Sequence, residues 1–238
     1  MSLCHPSLGS VSCGACCGLF NLKLDAKGYK NLLTERTEYF KSSVNFEIRH
    51  TVAAYRQTRE SIESNFTKND EMTYNCPYLG YVDETQSRIG CMIHPIFTGD
   101  PKSQNFSFYG TSICQAYDCK NKEHIAGDLI EDLIRKVSCD SIEFSHLASD
   151  HILIYHIEAW LRMKGWSLSE GLRVFETLVL DVFRSRLQNL EKFYPTSFEI
   201  RYANANSESD VYEFLGKVLS VGDQERILSE MKKAPARE

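Results

Sequence analysis

Nine cysteines lie in this chain of 238 residues, and eight of them fall between Cys4 and Cys119. Cys4, Cys13, Cys16 and Cys17 open the sequence. Cys76, Cys91, Cys114 and Cys119 follow after a long gap, and only Cys139 lies beyond. This distribution constrains the fold more than any other feature, because sulfur ligands can organise a segment that has too little apolar core of its own. In an oxidising compartment the thiols would pair as disulfides with one left over. In a reducing cytosol, clustered thiols point to metal ligation or redox chemistry. The first twenty residues show neither the basic n-region nor the continuous apolar h-region of a signal peptide. No run reaches the ~20 apolar residues of a membrane span; the best candidate, 152–157, contains His156 and stops at Glu158. The expectation is a cytoplasmic protein with reduced thiols and no membrane partner.

Composition adds two limits. At 42% hydrophobic and 25% charged, the chain can bury a sizeable core as one domain or two. The net charge of −5 and the acidic character of 70–120 (Asp70, Glu71, Asp83, Glu84, Asp100, Asp118) argue against nucleic acid as a partner, since phosphate contacts need a basic face.

Between the two cysteine groups lie two helical patterns. One covers 25–40, with Tyr29, Leu32, Leu33, Arg36, Tyr39 and Phe40 on helical spacing. In the other, Ile48, Val52, Tyr55, Arg59, Ile62 and Phe66 step alternately by four and three, the mark of one buried stripe. A helical hairpin near 25–66 would bring the two cysteine groups together. Residues 68–120 are rich in turn formers and weak in periodicity, and a loop this long in a compact unit needs an organiser such as a metal.

From Asn121 onward the pattern is helical. Ile125, Leu129, Leu133 and Val137 recur every four residues, and an apolar helix is expected over about 145–164 with Gly165 as its stop. Ser167 and Glu170 form a capping box opening a helix whose Leu172, Phe175, Val179, Val182, Leu187 and Leu190 face the core, closed by Pro195. Residues 197–203 read as a short strand or connector, and 209–220 and 223–232 as final helices. The fold class expected is mainly α, a helical bundle, with a loop-rich cysteine-cluster half over 1–120 and an all-helical half over 121–238 packed on it, as one domain or two.

Cys13 and Cys16 have the spacing that lets two sulfurs reach one metal across a tight turn, with Gly14 and Gly18 permitting the sharp backbone. Cys16 and Cys17 are neighbours, so they serve two sites or straddle a polynuclear centre. Cys114 and Cys119 form a second short-range pair, and Cys76 and Cys91 would close the coordination from a distance. Eight thiols suffice for two four-thiolate sites, or for one site with thiols to spare. Soft thiolates select zinc or iron–sulfur clusters over hard cations, and spacing alone leaves those two open. Cys139 is expected to be structural.

In order along the chain, "CGACCGLF" (13–20), "CPYLG" (76–80), "GCMIHP" (90–95) and "CQAYDC" (114–119) resemble the YkgJ-type zinc- or iron-chelating family, and the flagellin lysine N-methylases have a similar cysteine core. The resemblance covers about half the chain, from Cys4 to Cys119. It implies metal or iron–sulfur binding through Cys4, Cys13, Cys16, Cys17, Cys76, Cys91, Cys114 and Cys119. The chain departs from the family pattern in three places. Eight residues separate Cys4 from Cys13 where the family has two. The segment after Cys91 is reduced to "IHP", which leaves His94 as a substitute ligand. A long insertion, 96–112, precedes the last pair.

His146, His151 and His156 recur every five residues, about 140° apart on a helix, so they share no face and are read as structural. His146 with Asp150 and His151 with Tyr155 are candidate pairs. No P-loop, dinucleotide fingerprint or nucleophile elbow is present. The reading taken forward is an iron–sulfur protein with a redox or electron-transfer role. The alternatives are a zinc-stapled scaffold whose helical half binds a protein partner, and, by family analogy alone, a protein-lysine methylase.

Overall fold

The computed structural model describes residues 11–116, 119, 121, 124–190 and 205–237. Cys4, Asp118, Pro195 and the expected strand at 197–203 lie outside the described residues. The described chain is mainly helical, as the periodicity predicts.

Two short 3-10 turns, Ala15–Cys17 and Leu19–Asn21, lead into α1 (Ala26–Ser43) and α2 (Arg49–Glu63). Asp25 starts α1 by accepting a hydrogen bond from the Gly28 amide at 2.7 Å. The two helices pack together, burying Tyr29, Leu32, Leu33 and Phe40 from one and Val52 and Tyr55 from the other. The expected hairpin is present.

The stretch after α2 is less irregular than its composition suggests. Strands β1 (Leu79–Tyr81) and β2 (Ile89–Cys91) pair antiparallel with Gly80 opposite Gly90. Their connection is held by one side chain. The Asp83 carboxylate accepts from the Ser87 and Arg88 amides at 3.0 and 2.7 Å, and from the Thr85 and Ser87 hydroxyls. Hydrophobic alternation is too short to reveal three-residue strands, so the hairpin is found only in the structure. Helices α3 (Pro95–Thr98) and α4 (Gly110–Ala116), with a 3-10 turn at Ser103–Phe106 between them, fold the 96–112 insertion over this region.

The second half comprises α5 (Gly127–Val137), α6 (Ser141–Ser149), α7 (His151–Met163), α8 (Leu168–Val174), α9 (Glu176–Leu187), α10 (Glu208–Val218) and α11 (Val221–Lys233). They close on one apolar cluster that includes Ile134, Phe144, Leu153, Trp160, Phe183 and Leu215. Two expected helices are each broken once. The apolar run over 145–164 divides at Asp150, which caps α7 by accepting from the Leu153 amide at 3.1 Å. The helix opened by Ser167 divides at Phe175, whose ring packs against Trp160 and Trp166. Gly165 stops α7 as predicted, at φ +81°. Of the four-residue repeat, Leu133 is buried and Leu129 and Val137 pack against the core beside Ile130 and Ile134, whereas Ile125, which precedes α5, is 93% exposed.

Residues 11–14 strap the halves together. The Ser12 amide donates to Ser141 Oγ at 3.0 Å, Ser12 Oγ to the Ile89 carbonyl at 2.6 Å, and the Gly14 amide to Ser145 Oγ at 3.0 Å. Among the described residues, no helix is long and apolar enough to cross a membrane.

Candidate metal centre

The short segment 14–18 is shaped by its glycines. Gly18 sits at φ +76°, and a Cβ there would collide with the Tyr74 carbonyl. At Gly14 a Cβ would meet Ile89 Cδ1 at 2.8 Å and Leu79 Cδ1 at 2.9 Å. The turn carrying Cys16 and Cys17 therefore lies directly on the segment that carries Cys76. The Cys76 amide donates to the Cys17 carbonyl at 2.9 Å. Asn21 clamps the approach: its side-chain amide donates to the Asp70 and Thr73 carbonyls at 2.9 and 3.1 Å, and its Oδ1 accepts from the Asp70 amide at 2.9 Å.

Five cysteines from four separate segments lie within electrostatic reach of one another here. Cys17 hydrogen-bonds through its side chain to both Cys16 and Cys76. Cys91, at the end of β2, and Cys114, on α4, both lie within electrostatic reach of Cys76. Cys16 is exposed, Cys17, Cys91 and Cys114 are half-buried, and Cys76 is buried. Ser107, from the folded insertion, brings its hydroxyl to 3.6 Å from Cys76 Sγ. Tyr74, Phe108 and Tyr109 stack over this side, with ring centroids 5.1 Å apart from Tyr74 to each of the other two.

The thiols are not equivalent. Hydrogen bonding from Cys17, set against burial and aided by Ser107, the Tyr78 amide and the Arg36 charge, brings Cys76 down to about 7. Cys16 is lowered as well, chiefly by its hydrogen bond with Cys17. Cys17 is pushed well up, first by those same bonds to Cys16 and Cys76 and then by burial. Burial, followed by the Cys76 charge, raises Cys91, and the same two causes push Cys114 up to about 11. The pattern is that of sulfurs close enough for ionisation of one to oppose ionisation of the next.

Cys13, the expected partner of Cys16, packs against the large helical core. Cys119 is half-buried beyond α4. His94 caps α3, its Nδ1 accepting from the Ile96 amide at 3.2 Å. Cys139 is exposed, its amide bound to Glu143 Oε2 at 2.7 Å. Among the described residues, no three His, Cys, Asp or Glu side chains form a ready-made ion site. The convergent donors are nonetheless all soft sulfurs, the set that suits zinc or iron–sulfur chemistry and no hard cation.

The histidines have structural surroundings. His146 stacks on Phe20 with centroids 3.6 Å apart, and burial drives it down to about 3. His156 stacks on Phe214 and its Nδ1 lies 2.8 Å from the Ile152 carbonyl. Asp150, the candidate partner of His146, instead pairs with the buried Arg186 at 3.0 Å.

Sequence reasoning missed the non-cysteine parts of this region: Asn21, Ser107, Tyr109 and the buried charges of α1 and α2. Arg36 and Arg59 were visible as cations standing on apolar stripes, which was the available signal. No family model, curated protein or solved structure matches the chain.

Proposed function

We propose that the thiols gathered around Cys76 bind a thiophilic metal centre, an iron–sulfur cluster in the first reading, and that the N-terminal half exists to shield and hold it. The observation that carries this is the convergence of Cys16, Cys17, Cys76, Cys91 and Cys114 from four segments far apart in sequence. Five sulfurs suffice for the four ligands of one tetrahedral zinc ion or of one iron–sulfur cluster. Both members of the adjacent Cys16–Cys17 pair join the same group, which favours a polynuclear centre. The resemblance to the YkgJ-type family includes these five among the eight cysteines it implies. Such a cluster would supply one-electron transfer.

The chain's own residues have definable parts in this reading. Cys16, Cys17 and Cys76 ligate from the two segments tied by the Cys76–Cys17 backbone bond. Ser107 donates to the Cys76 sulfur, and hydrogen bonds to ligating sulfur tune potential. Tyr74 and Tyr109, packed edge to face, would cover the centre on the side of the folded insertion.

The test is metal analysis with an absorption spectrum on protein purified without oxygen. A brown sample containing iron and sulfide, lost in Cys76→Ser, is the expected result. Stoichiometric zinc in a colourless sample would replace the cluster by a zinc staple. Metal-free protein of unchanged fold would remove both readings.

A further inference from the structure

The buried charges beside the thiol group do not balance. Arg36, Arg59 and Glu63 are 1%, 4% and 6% exposed, two cations against one anion. Glu63 is shared between them. Arg36 donates to it through Nε at 2.9 Å and again through Nη2, while Arg59 Nε donates to the same Oε1 at 2.9 Å. Against burial, which would raise it, these two cations hold Glu63 below the usual carboxylate range. Arg59 reaches one more carboxylate, Glu35 at 3.6 Å, but Glu35 is 62% exposed. Arg59 Nη2 is buried with no hydrogen-bond partner among the described residues. An excess positive charge in the interior is strongly unfavourable unless an anion answers it.

Arg36, one of the two cations, also reaches the Cys76 segment. Arg36 Nη1 donates to the Leu79 carbonyl at 3.4 Å, and the Tyr55 hydroxyl bridges the Arg36 and Pro77 carbonyls at 3.1 and 2.9 Å. Residues 76–79 are thus fastened on α1 and α2 at the positions where these cations stand. With every thiol protonated, the carboxylates that meet these cations among the described residues are the buried Glu63 and the exposed Glu35.

We propose that the Arg36–Glu63–Arg59 triad is the fixed counter-charge of a net-anionic thiolate centre at Cys76, acting as a positioning group and not as a ligand. This rests on the metal reading above. Each thiol that ligates releases its proton to solvent, and four thiolates on a dication leave two net negative charges. The triad holds its opposing charge in place before the metal arrives, so no reorganisation is needed when the anion forms.

The experiment uses the full chain, reduced and metal-free, with zinc as the probe and a chromophoric chelator as competitor at fixed pH. Arg36→Gln is expected to weaken zinc about tenfold or more, the range typical of groups just outside a metal's ligands. Arg36→Lys should recover part of that loss. Glu63→Gln increases the positive excess and should tighten zinc. A triad that merely braces the helices predicts weakening in both Arg36→Gln and Glu63→Gln, and that result would overturn the proposal. If Glu63→Gln does not fold, Glu35→Gln removes a negative charge at the exposed end. It should also tighten binding; no change or a loss there counts against the proposal. Wild-type protein that takes up no zinc would end the metal reading and this inference together. Wild-type binding with charge-insensitive variants would end this inference alone.

Discussion

Residues 124–237 close their helices on one continuous apolar cluster around Trp160, Phe183 and Leu215, whereas residues 11–116 contain two smaller clusters and a buried set of polar groups, Arg36, Thr37, Arg59 and Glu63. The second half is held mainly by apolar burial, with polar groups such as the Asp150–Arg186 pair enclosed in it. The first half relies on side chains that hold backbone: Asn21 on 70–73, Asp83 on its own turn, Tyr55 on 36 and 77. A chain that lacks apolar surface in one region can still order it by directing hydrogen bonds at turns. That order is weaker and more local, and it is where a metal would contribute most.

This contrast can be broken by experiment. Trp160→Ala removes the largest side chain in the C-terminal core and should cost about 3–5 kcal/mol in urea unfolding, whether or not metal is present. A variant destabilised only without metal would mean that the halves are not held by different means. Stripping metal with a chelator should next raise amide exchange across 14–22 and 74–93 while α7 and α9 keep their protection. Uniform loss of protection would show one cooperative unit sharing a single source of stability.

His146 joins the halves through its stack on Phe20, and its protonation is opposed first by burial and then by Arg186. Its folded value of about 3 lies below the ordinary 6.5, so the unfolded chain binds the extra proton between these limits. Stability from this group is therefore complete above pH 6.5 and declines by up to about 1.4 kcal/mol per pH unit as the pH falls toward 3. The difference between wild type and His146→Gln, followed by urea titration at several pH values, should carry that slope. A pH-independent difference would show His146 to be solvated.

The most local effect expected is at Gly18. Gly18→Ala forces a Cβ onto the Tyr74 carbonyl in left-handed backbone. It should cost about 1–2 kcal/mol from conformation alone, with any steric displacement added. The loss should appear as faster exchange at 15–22 and 74–76, with α7 and α9 unaffected.

Much of this fold was legible. The spacing of Tyr29, Leu32, Leu33 and Phe40 marks α1. Val52, Tyr55 and Arg59 mark α2, and Ser167 and Gly165 mark a helix start and stop. These signals are local: a period of 3.6, a cap, a left-handed residue. The helix break at Asp150 was not legible, because the apolar pattern continues through it and the buried partner that retains the carboxylate, Arg186, lies far along the chain. The β-hairpin was missed because its strands are too short for a period to show.

For the candidate site, the sequence determined its chemistry and the tertiary structure determined its membership. That soft sulfur donors crowd the first half follows from counting and spacing cysteines, since ligand type depends on residue identity alone. Which of them meet does not. Cys13, three residues from Cys16, turns to the helical core, while Cys91 and Cys114 arrive from a strand end and a folded insertion. Nor could spacing show that Arg36 of α1 and Arg59 of α2 share the buried carboxylate of Glu63 beside the segment that carries Cys76. Proximity between distant segments is set by packing, and packing is a property of the whole chain and not of any local run within it.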